Sequence, residues 1–387
     1  MWSYVPLEKV ANICDELRKP VNSKERAKRI EGKLNESLFP YYGATGQVGY
    51  IDDYLTDGEY VLLGEDGAPF LNPFASKAYI ISGKAWVNNH AHILQSKSNN
   101  KFLCYYLNYF DYNSYVSGTT RLKLTQAQLK RIEIPDISKD EQQRIVSCIE
   151  ELFSELDKGV ETLQTIKEQL AVYRQAVLKE ALNGIKGQPY TVKDVCKEIK
   201  VGIVIKPSQY YTDEQVGIKA FRSANVREFH VEDKNWAYLS IAGHQANARS
   251  IVHTGDILIV RSGYPGTACV VPEQFNGCNA IDILIAVPNR DLVLPEFLCA
   301  YTNSPLGKKF VNEKKRGVGQ KHFNVSGYSK MLIPVPSLDK QEEIVKKIAS
   351  RLSVCDSIER TVNTALAQAE AMRQSILKKA FEGELCK

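Results

Sequence analysis

The chain has 387 residues, is 44% hydrophobic and carries a formal net charge of +5. That length suits two or three domains, each able to bury a core, and no apolar stretch approaches the roughly 20 residues of a membrane span. Nine cysteines, odd in number and without a C-x-x-C pair, fit free thiols in a reducing compartment, so a cytoplasmic protein is expected. The opening MWSYVPLEKVANICDELRKP has acids near its start and no apolar run, which argues against a signal peptide. The charge divides unevenly: +2 over residues 1–133, −4 over 134–184, +6 over 185–333 and +1 over 334–387. The positive excess lies in two large blocks, a pattern compatible with binding a polyanion.

In chain order, residues 1–133 read as a mixed α/β domain, with short Val/Ile/Tyr runs bounded by Gly, Pro and Asn and one or two helices. A helical region follows at 134–185, a second mixed domain at 186–332 and a second helical region at 333–387. The helical regions repeat without a gap: residues 134–184 match 333–383 at a constant shift of 199, and RQAVLKEALNG (Arg174 to Gly184) answers RQSILKKAFEG (Arg373 to Gly383). Each copy carries helix punctuation. Pro135 and Pro334 keep the chain extended upstream, Asp140 and Asp339 are expected N-caps with Gln143 and Glu342 three residues on, and Gly184 and Gly383 are expected C-terminal stops.

Apolar residues at spacings of three and four run through Ile145, Ile149, Leu152, Leu156, Val160, Leu163, Ile166, Leu170, Tyr173 and Val177. In the second copy they run through Ile344, Ile348, Leu352, Cys355, Ile358, Val362, Ala365, Ala369, Met372 and Ile376. A helix of about 44 residues is about 66 Å long and cannot bury such a stripe alone. Two similar helices in one chain are expected to pack as an antiparallel coiled coil. The larger blocks repeat loosely. DGEYVLLGEDG (Asp57 to Gly67) answers TGDILIVRSG (Thr254 to Gly263), FLCYYLN (Phe102 to Asn108) answers FLCAYTN (Phe297 to Asn303), and YVPLEKVANI (Tyr4 to Ile13) answers YTVKDVCKEI (Tyr190 to Ile199). Gly118–Pro135 keeps the 199 shift against Gly317–Pro334. The expected fold is therefore α+β: two mixed domains and two long helices in a pseudo-twofold repeat, with alike helices and diverged domains.

These features resemble the specificity subunits of type I restriction–modification enzymes. The residues carrying the resemblance are WSYVPLEKV, FPYYGATGQVGYIDDYL with the following YVLLGEDG, and a duplicated I-P-x-x-x-x-x-x-Q-x-x-I-V leading into a long helix, from Ile134 to Val146 and from Ile333 to Val345. The resemblance implies two target-recognition domains, each reading one half of a split double-stranded DNA site. It also implies helices that dock two methyltransferase subunits, and through them motor-nuclease subunits. S-adenosylmethionine, ATP and Mg are then expected on those partners, with no cofactor on this chain. Antiparallel helices would orient the half-sites in opposite senses, about one DNA turn apart, and deleting a heptad within Glu150–Leu170 and its counterpart should alter the preferred spacing.

Catalytic motifs are missing, as a non-catalytic subunit requires. There is no G-x-x-x-x-G-K-[ST] phosphate loop. Asn72-Pro73-Phe74 lacks the second proline of an amino-methyltransferase motif and reads as a turn. Glu198-Ile199-Lys200 has no nuclease partner nearby, Pro135-Asp136 lying beyond a long helix. His90 and His92 share a strand face without a third ligand, and read as hydrogen-bonding histidines. The competing readings are a coiled-coil scaffold that does not touch DNA and an autonomous DNA methyltransferase or nuclease.

Base readers are sought among long polar side chains in Gly-marked loops. In the first domain the candidates are Tyr42, Thr45, Asn88, Asn89, His90, Arg121 and Lys123. In the second they are Arg222, Asn225, Arg261 and the run KKRGVGQKHFN, which supplies Lys314, Lys315, Arg316, Gln320, Lys321 and His322. The Lys24–Arg29 cluster reads as a solvated helix face or a phosphate contact.

Overall fold

The computed structural model describes residues 2–314 and 323–385. It divides into two compact units, Met1–Thr165 with Val362–Lys387, and Ile166–Thr361. The first unit opens with β1 (Ser3–Pro6), α1 (Leu7–Val10), β2 (Ala11–Ile13) and α2 (Ser23–Ile30). Strands β3 (Phe39–Gly43), β4 (Gly46–Ile51), β5 (Thr56–Gly64), β6 (Ala78–Val87) and β7 (Ala91–Ser96) follow, then α3 (Asn100–Tyr109), α4 (Gln126–Lys130), β8 (Glu133–Asp136) and the start of α5 (Lys139–Leu182). The sheet order is β2-β7-β5-β6-β3-β4, antiparallel except for the β3–β6 pair. Strand periodicity divides β5 between two cores: Val61 and Leu63 face the core shared with α3, and Leu62 faces the opposite cluster.

The second unit contains β9 (Gln188–Thr191), β10 (Cys196–Val201), β11 (Ile218–Phe221), β12 (Ala237–Leu239), α6 (Ile241–Ala246), β13 (Ile257–Val260) and β14 (Ala268–Val270). It continues with β15 (Asn279–Ala280), β16 (Ile283–Pro288), α7 (Pro295–Asn303), α8 (Pro305–Lys314), α9 (Val325–Ser329), β17 (Leu332–Val335) and the start of α10 (Leu338–Phe381). Its sheets run β10-β16-β13-β14 and β12-β11-β15. This is the first domain's strand order with the long β6 replaced by two short strands, β14 and β15, and β11–β15 is the equivalent parallel pair.

The structure corrects one alignment by a residue. The Leu7 N–H bonds Ile132 O and the Val192 N–H bonds Met331 O, so Leu7 answers Val192, and Tyr4 does not answer Tyr190. Both Leu7 and Val192 are fully buried. Aligning the two tyrosines puts the segments one place out of register, and a one-residue slip turns every strand side chain to the wrong face.

Both long helices have 44 residues and stop where expected, Gly184 at φ +67° and Gly383 at φ +75°, a conformation that costs glycine little. The N-caps differ from expectation. Helix α5 starts at Lys139 with Ser138 Oγ accepting from the Glu141 N–H at 3.2 Å, and α10 starts at Leu338. Asp140 and Asp339 therefore lie in the first turns, where their charge complements the helix dipole.

Within the first unit Ile145, Val146 and Ile149 share a core with Ile376, Leu377, Ala380 and Phe381. Within the second, Ile344, Ile348 and Leu352 share a core with Val177, Leu178 and Leu182. Asp157 pairs with Arg373 in the first unit, and Arg174 with Asp356 at 2.6 Å in the second. Glu180 meets Lys347 and Arg351. Early residues of one helix thus meet late residues of the other, which is antiparallel packing within each unit. Leu170 and Val362 are buried as expected, and Leu156 and Leu163 are half-buried. Leu152, Ile358 and Met372 are exposed instead of packed in the seam, because the apolar stripe is wider than the face one partner helix covers.

Candidate nucleic-acid interface

In the first domain, four loops converge at one end of the sheet. The β3–β4 turn carries Thr45, the β6–β7 turn carries Asn88 to His90, and residues Glu65 to Gly67 leave β5. The Ser117–Lys123 segment carries Arg121. Backbone bonds tie them together: Asn88 N–H to Tyr42 O, Glu65 N–H to His90 O, Gly67 N–H to Leu122 O and Leu124 N–H to Glu65 O. His90 Nδ1 lies 2.6 Å from Asp66 and the Arg121 guanidinium 2.9 Å from the same carboxylate. Lys123 reaches Glu65 at 3.0 Å. Burial would raise the Glu65 carboxyl, but Lys123 and Arg18 hold it below the ordinary carboxylate range.

The structure thus brings six of the seven first-domain candidates to one surface, with Thr45, Asn89, Arg121 and Lys123 exposed and Tyr42 half-buried against Tyr79. Asn88 is the correction: it is buried, and its Oδ1 accepts from the His90 N–H at 2.8 Å, shaping the turn. Asn72 Oδ1 likewise accepts from the Phe74 N–H, the turn read from sequence.

In the second domain, Phe221 pairs with Ala280 as Tyr42 pairs with Val87, so Arg222 occupies the place where the first domain's turn begins. Its guanidinium bonds Asn235 O. Asn225 is no surface reader. It is fully buried, accepting from the Arg222 N–H and donating to Glu232 O and Lys234 O. Arg261 is also mostly buried, bonded to Phe323 O at 3.1 Å and to Asp282. Lys315, Arg316, Gln320, Lys321 and His322 lie outside the described residues, as does the side chain of Lys314.

Tyr264 and Arg227 escaped the sequence reading. Tyr264 is 84% exposed, on a turn between Gly263 at φ +80° and Gly266 at φ +88° that is closed by Gly266 N–H to Val260 O and Val260 N–H to Thr267 O. It borders a cleft of about 530 Å³ with Arg227, Ser223, Ser262 and Thr267. An aromatic residue inside S-G-Y-P-G directly after an apolar strand was the available signal.

Among the described residues no group of three His, Cys, Asp or Glu is placed to hold a metal ion, and no described helix is long and apolar enough to cross a membrane. His90 and His92 go to different carboxylates, Asp66 and Asp15.

A duplicated α/β frame with unlike loop surfaces is the architecture of a two-domain recognition protein. The family model described as "Type I restriction modification DNA specificity domain" matches residues 1–170 and 186–368, and the chain belongs to this family. It is 25% identical over 420 residues to the EcoBI type I restriction enzyme specificity subunit of Escherichia coli, covering 99% of this chain and 86% of that one. Against the Escherichia coli EcoKI specificity subunit it is 27% identical over 294 residues, covering 70% of this chain and 62% of the relative. A chain solved in work on complex assembly and conformational transition of the type I R-M system superposes with a TM-score of 0.68 at 17% identity, covering 99% of this chain and 98% of that one.

Proposed function

We propose that this DNA-specificity protein reads a bipartite double-stranded site, one half per domain, and does no chemistry itself. The observation carrying the reading is one frame built twice around different polar surfaces: Thr45, Asn89, His90, Arg121 and Lys123 in the first domain, and Arg222, Arg227 and Tyr264 in the second. An enzyme repeated for one reaction would be expected to keep its working residues alike. S-adenosylmethionine, ATP and Mg belong in this reading to partner subunits.

Two methyltransferase subunits would dock on the long helices and bring motor-nuclease subunits with them. Support comes from apolar side chains left uncovered at repeat-equivalent places, Tyr173 at 49% and Met372 at 54% exposed, together with Val354 and Ile358. The test is DNA binding by the chain purified with coexpressed methyltransferase subunits. Affinity should fall steeply as salt rises, as counterion release demands, and one duplex sequence should be preferred. Salt-independent or absent binding would instead favour a coiled-coil scaffold.

A further inference from the structure

The two domains use different residues to perform one mechanical task. In the first, Leu124 immediately precedes the N-cap of α4, Thr125, and in the second Phe323 immediately precedes the N-cap of α9, Asn324. Both are fully buried, and they are equivalent by the 199 shift. The Leu124 N–H bonds Glu65 O and the Phe323 N–H bonds Arg261 O. Each carbonyl also receives a side-chain donor: His92 Nε2 reaches Leu124 O at 2.9 Å, and Arg261 Nε reaches Phe323 O at 3.1 Å. Each donor is backed by a carboxylate, His92 Nδ1 by Asp15 Oδ2 at 2.8 Å and Arg261 by Asp282.

Since both nitrogens of His92 face oxygen acceptors, the ring and Asp15 are satisfied only with a proton between Nδ1 and Oδ2. Asp15 also accepts from the Ile93 N–H at 3.1 Å and Gln126 at 3.0 Å, and lies 3.2 Å from Arg18, which in turn pairs with Glu65. Packing does not require the histidine. Leu63 pairs with His92 and Ala78, while Ile259 pairs with Leu284 and Ala268. Ala78 and Ala268 are held alike by Asn108 and Asn303. Leu284, a fully buried leucine, therefore fills the place of His92 in the second domain. Asp282 holds φ +50°, a left-handed conformation that aspartate reaches at less cost than most residues bearing a side chain.

We propose that His92–Asp15 and Arg261–Asp282 are equivalent latches, each fixing the foot of a reading loop, Ser117–Lys123 with Arg121 in the first domain and the turn after Arg261 that carries Tyr264 in the second, so that all four are positioning residues for DNA reading. The proposal rests on the DNA-reading function above. It assigns Arg261 to the frame instead of the base-contacting surface. Fixing the Leu124 carbonyl holds the strand-like end of Ser117–Lys123, closed by paired bonds between Ser117 and Lys123, and with it Arg121.

The test is a binding-site selection from random duplexes by the full chain copurified with methyltransferase subunits. Variants are His92→Leu, Asp15→Asn, Arg261→Met and Asp282→Asn; asparagine tolerates the Asp282 backbone. Each should relax base discrimination by about tenfold or more in its own half-site and leave the other half intact, which also reports correct folding. His92→Gln, retaining a donor toward Leu124, should recover part of the loss. Nitrogen-15 spectra of histidine-labelled chain should show both ring nitrogens of His92 hydrogen-bonded, to Asp15 and to Leu124 O, and the Asp15→Asn variant should change that signature.

If wild type selects no sequence, the DNA-reading function itself fails. If wild type selects a split site and Asp15→Asn and Asp282→Asn match it in both halves, the latches are overturned. Loss of both halves together with lower thermal stability in every variant would assign these pairs to stability alone and also overturn the proposal.

Discussion

The side-chain amide of Asn108 grips the backbone of Ala78 at both ends: Oδ1 accepts from the Ala78 N–H at 3.1 Å and Nδ2 donates to the Ala78 carbonyl at 2.8 Å. Asn303 does the same to Ala268, at 3.0 and 2.8 Å. In each domain a helix thereby fixes the start of the strand beside the central one. Asn108→Ala strips the partner from both the Ala78 N–H and its carbonyl, whereas after Asn303→Ala the Ala268 carbonyl keeps the Phe229 N–H at 3.0 Å and only the Ala268 N–H is left unpaired, each unpaired group costing about 1–3 kcal/mol. Denaturant unfolding followed by hydrogen exchange should show a loss of about 2–4 kcal/mol in the first domain and about half that in the second.

The helix ion pairs should control register more than stability. Arg174 spans Asp356 and Glu359 at 2.6 and 2.8 Å, and Arg373 repeats the contact with Asp157 while lying over the Phe153 ring. These side chains are partly solvated, so each pair contributes below about 1 kcal/mol. Reversing one charge, as in Arg373→Asp, should lower the thermal midpoint slightly, and adding Asp157→Arg should restore it. A double-mutant cycle with no coupling would show that the contact is incidental.

Tyr264 offers the plainest test of the second domain's surface. Its removal disturbs no core, so Tyr264→Ala should keep its unfolding curve. If the ring packs against base edges in a groove of the duplex, affinity for the cognate site falls about tenfold to a hundredfold, the effect of losing about 1–3 kcal/mol of base contact. Tyr264→Phe should retain most of the affinity. Quantitative binding at fixed salt distinguishes these outcomes.

The domains should respond differently to acid. Burial alone would raise Asp15 and Glu65, yet His92 beside Asp15, and Lys123 and Arg18 beside Glu65, hold both carboxyls below their ordinary values. Their stabilisation is present above the unfolded values near ~4 and is lost as pH falls through the lowered folded ones. Burial outweighs the His253 backbone bond at Asp256 in the second domain and raises that carboxyl. Its contribution is therefore present at low pH and lost as pH rises through the raised value. Hydrogen exchange of the full chain on acidification from pH 6 should show protection around Asp15 and Glu65 falling before protection around Asp256.

The sequence exposed the frame more clearly than the working surface. Gap-free repetition and glycine stops located both 44-residue helices, because a 3.6-residue period over twelve turns leaves little freedom in placing them. The N-caps were misplaced because Ser138 and Asp140 both suit a helix start, and only the bond from Glu141 decides between them. Arg121 and His90 were found through their loops, but their shared carboxylate Asp66 was not. Residues 24 or more positions apart meet only once strands pair. Arg261 looked like a surface reader for the same reason, its partners Asp282 and Phe323 lying on other loops. Asn225 is instead buried by its own loop, which folds the Glu232 and Lys234 carbonyls over it.

The central claim, one reading surface per domain, is tested most directly by methylome sequencing of cells expressing this chain with methyltransferase subunits. Wild type should yield a single split methylation motif. Arg121→Ala should alter one half of that motif and Tyr264→Ala the other. A continuous motif, a motif changed in the same half by both variants, or no chain-dependent methylation would contradict the account.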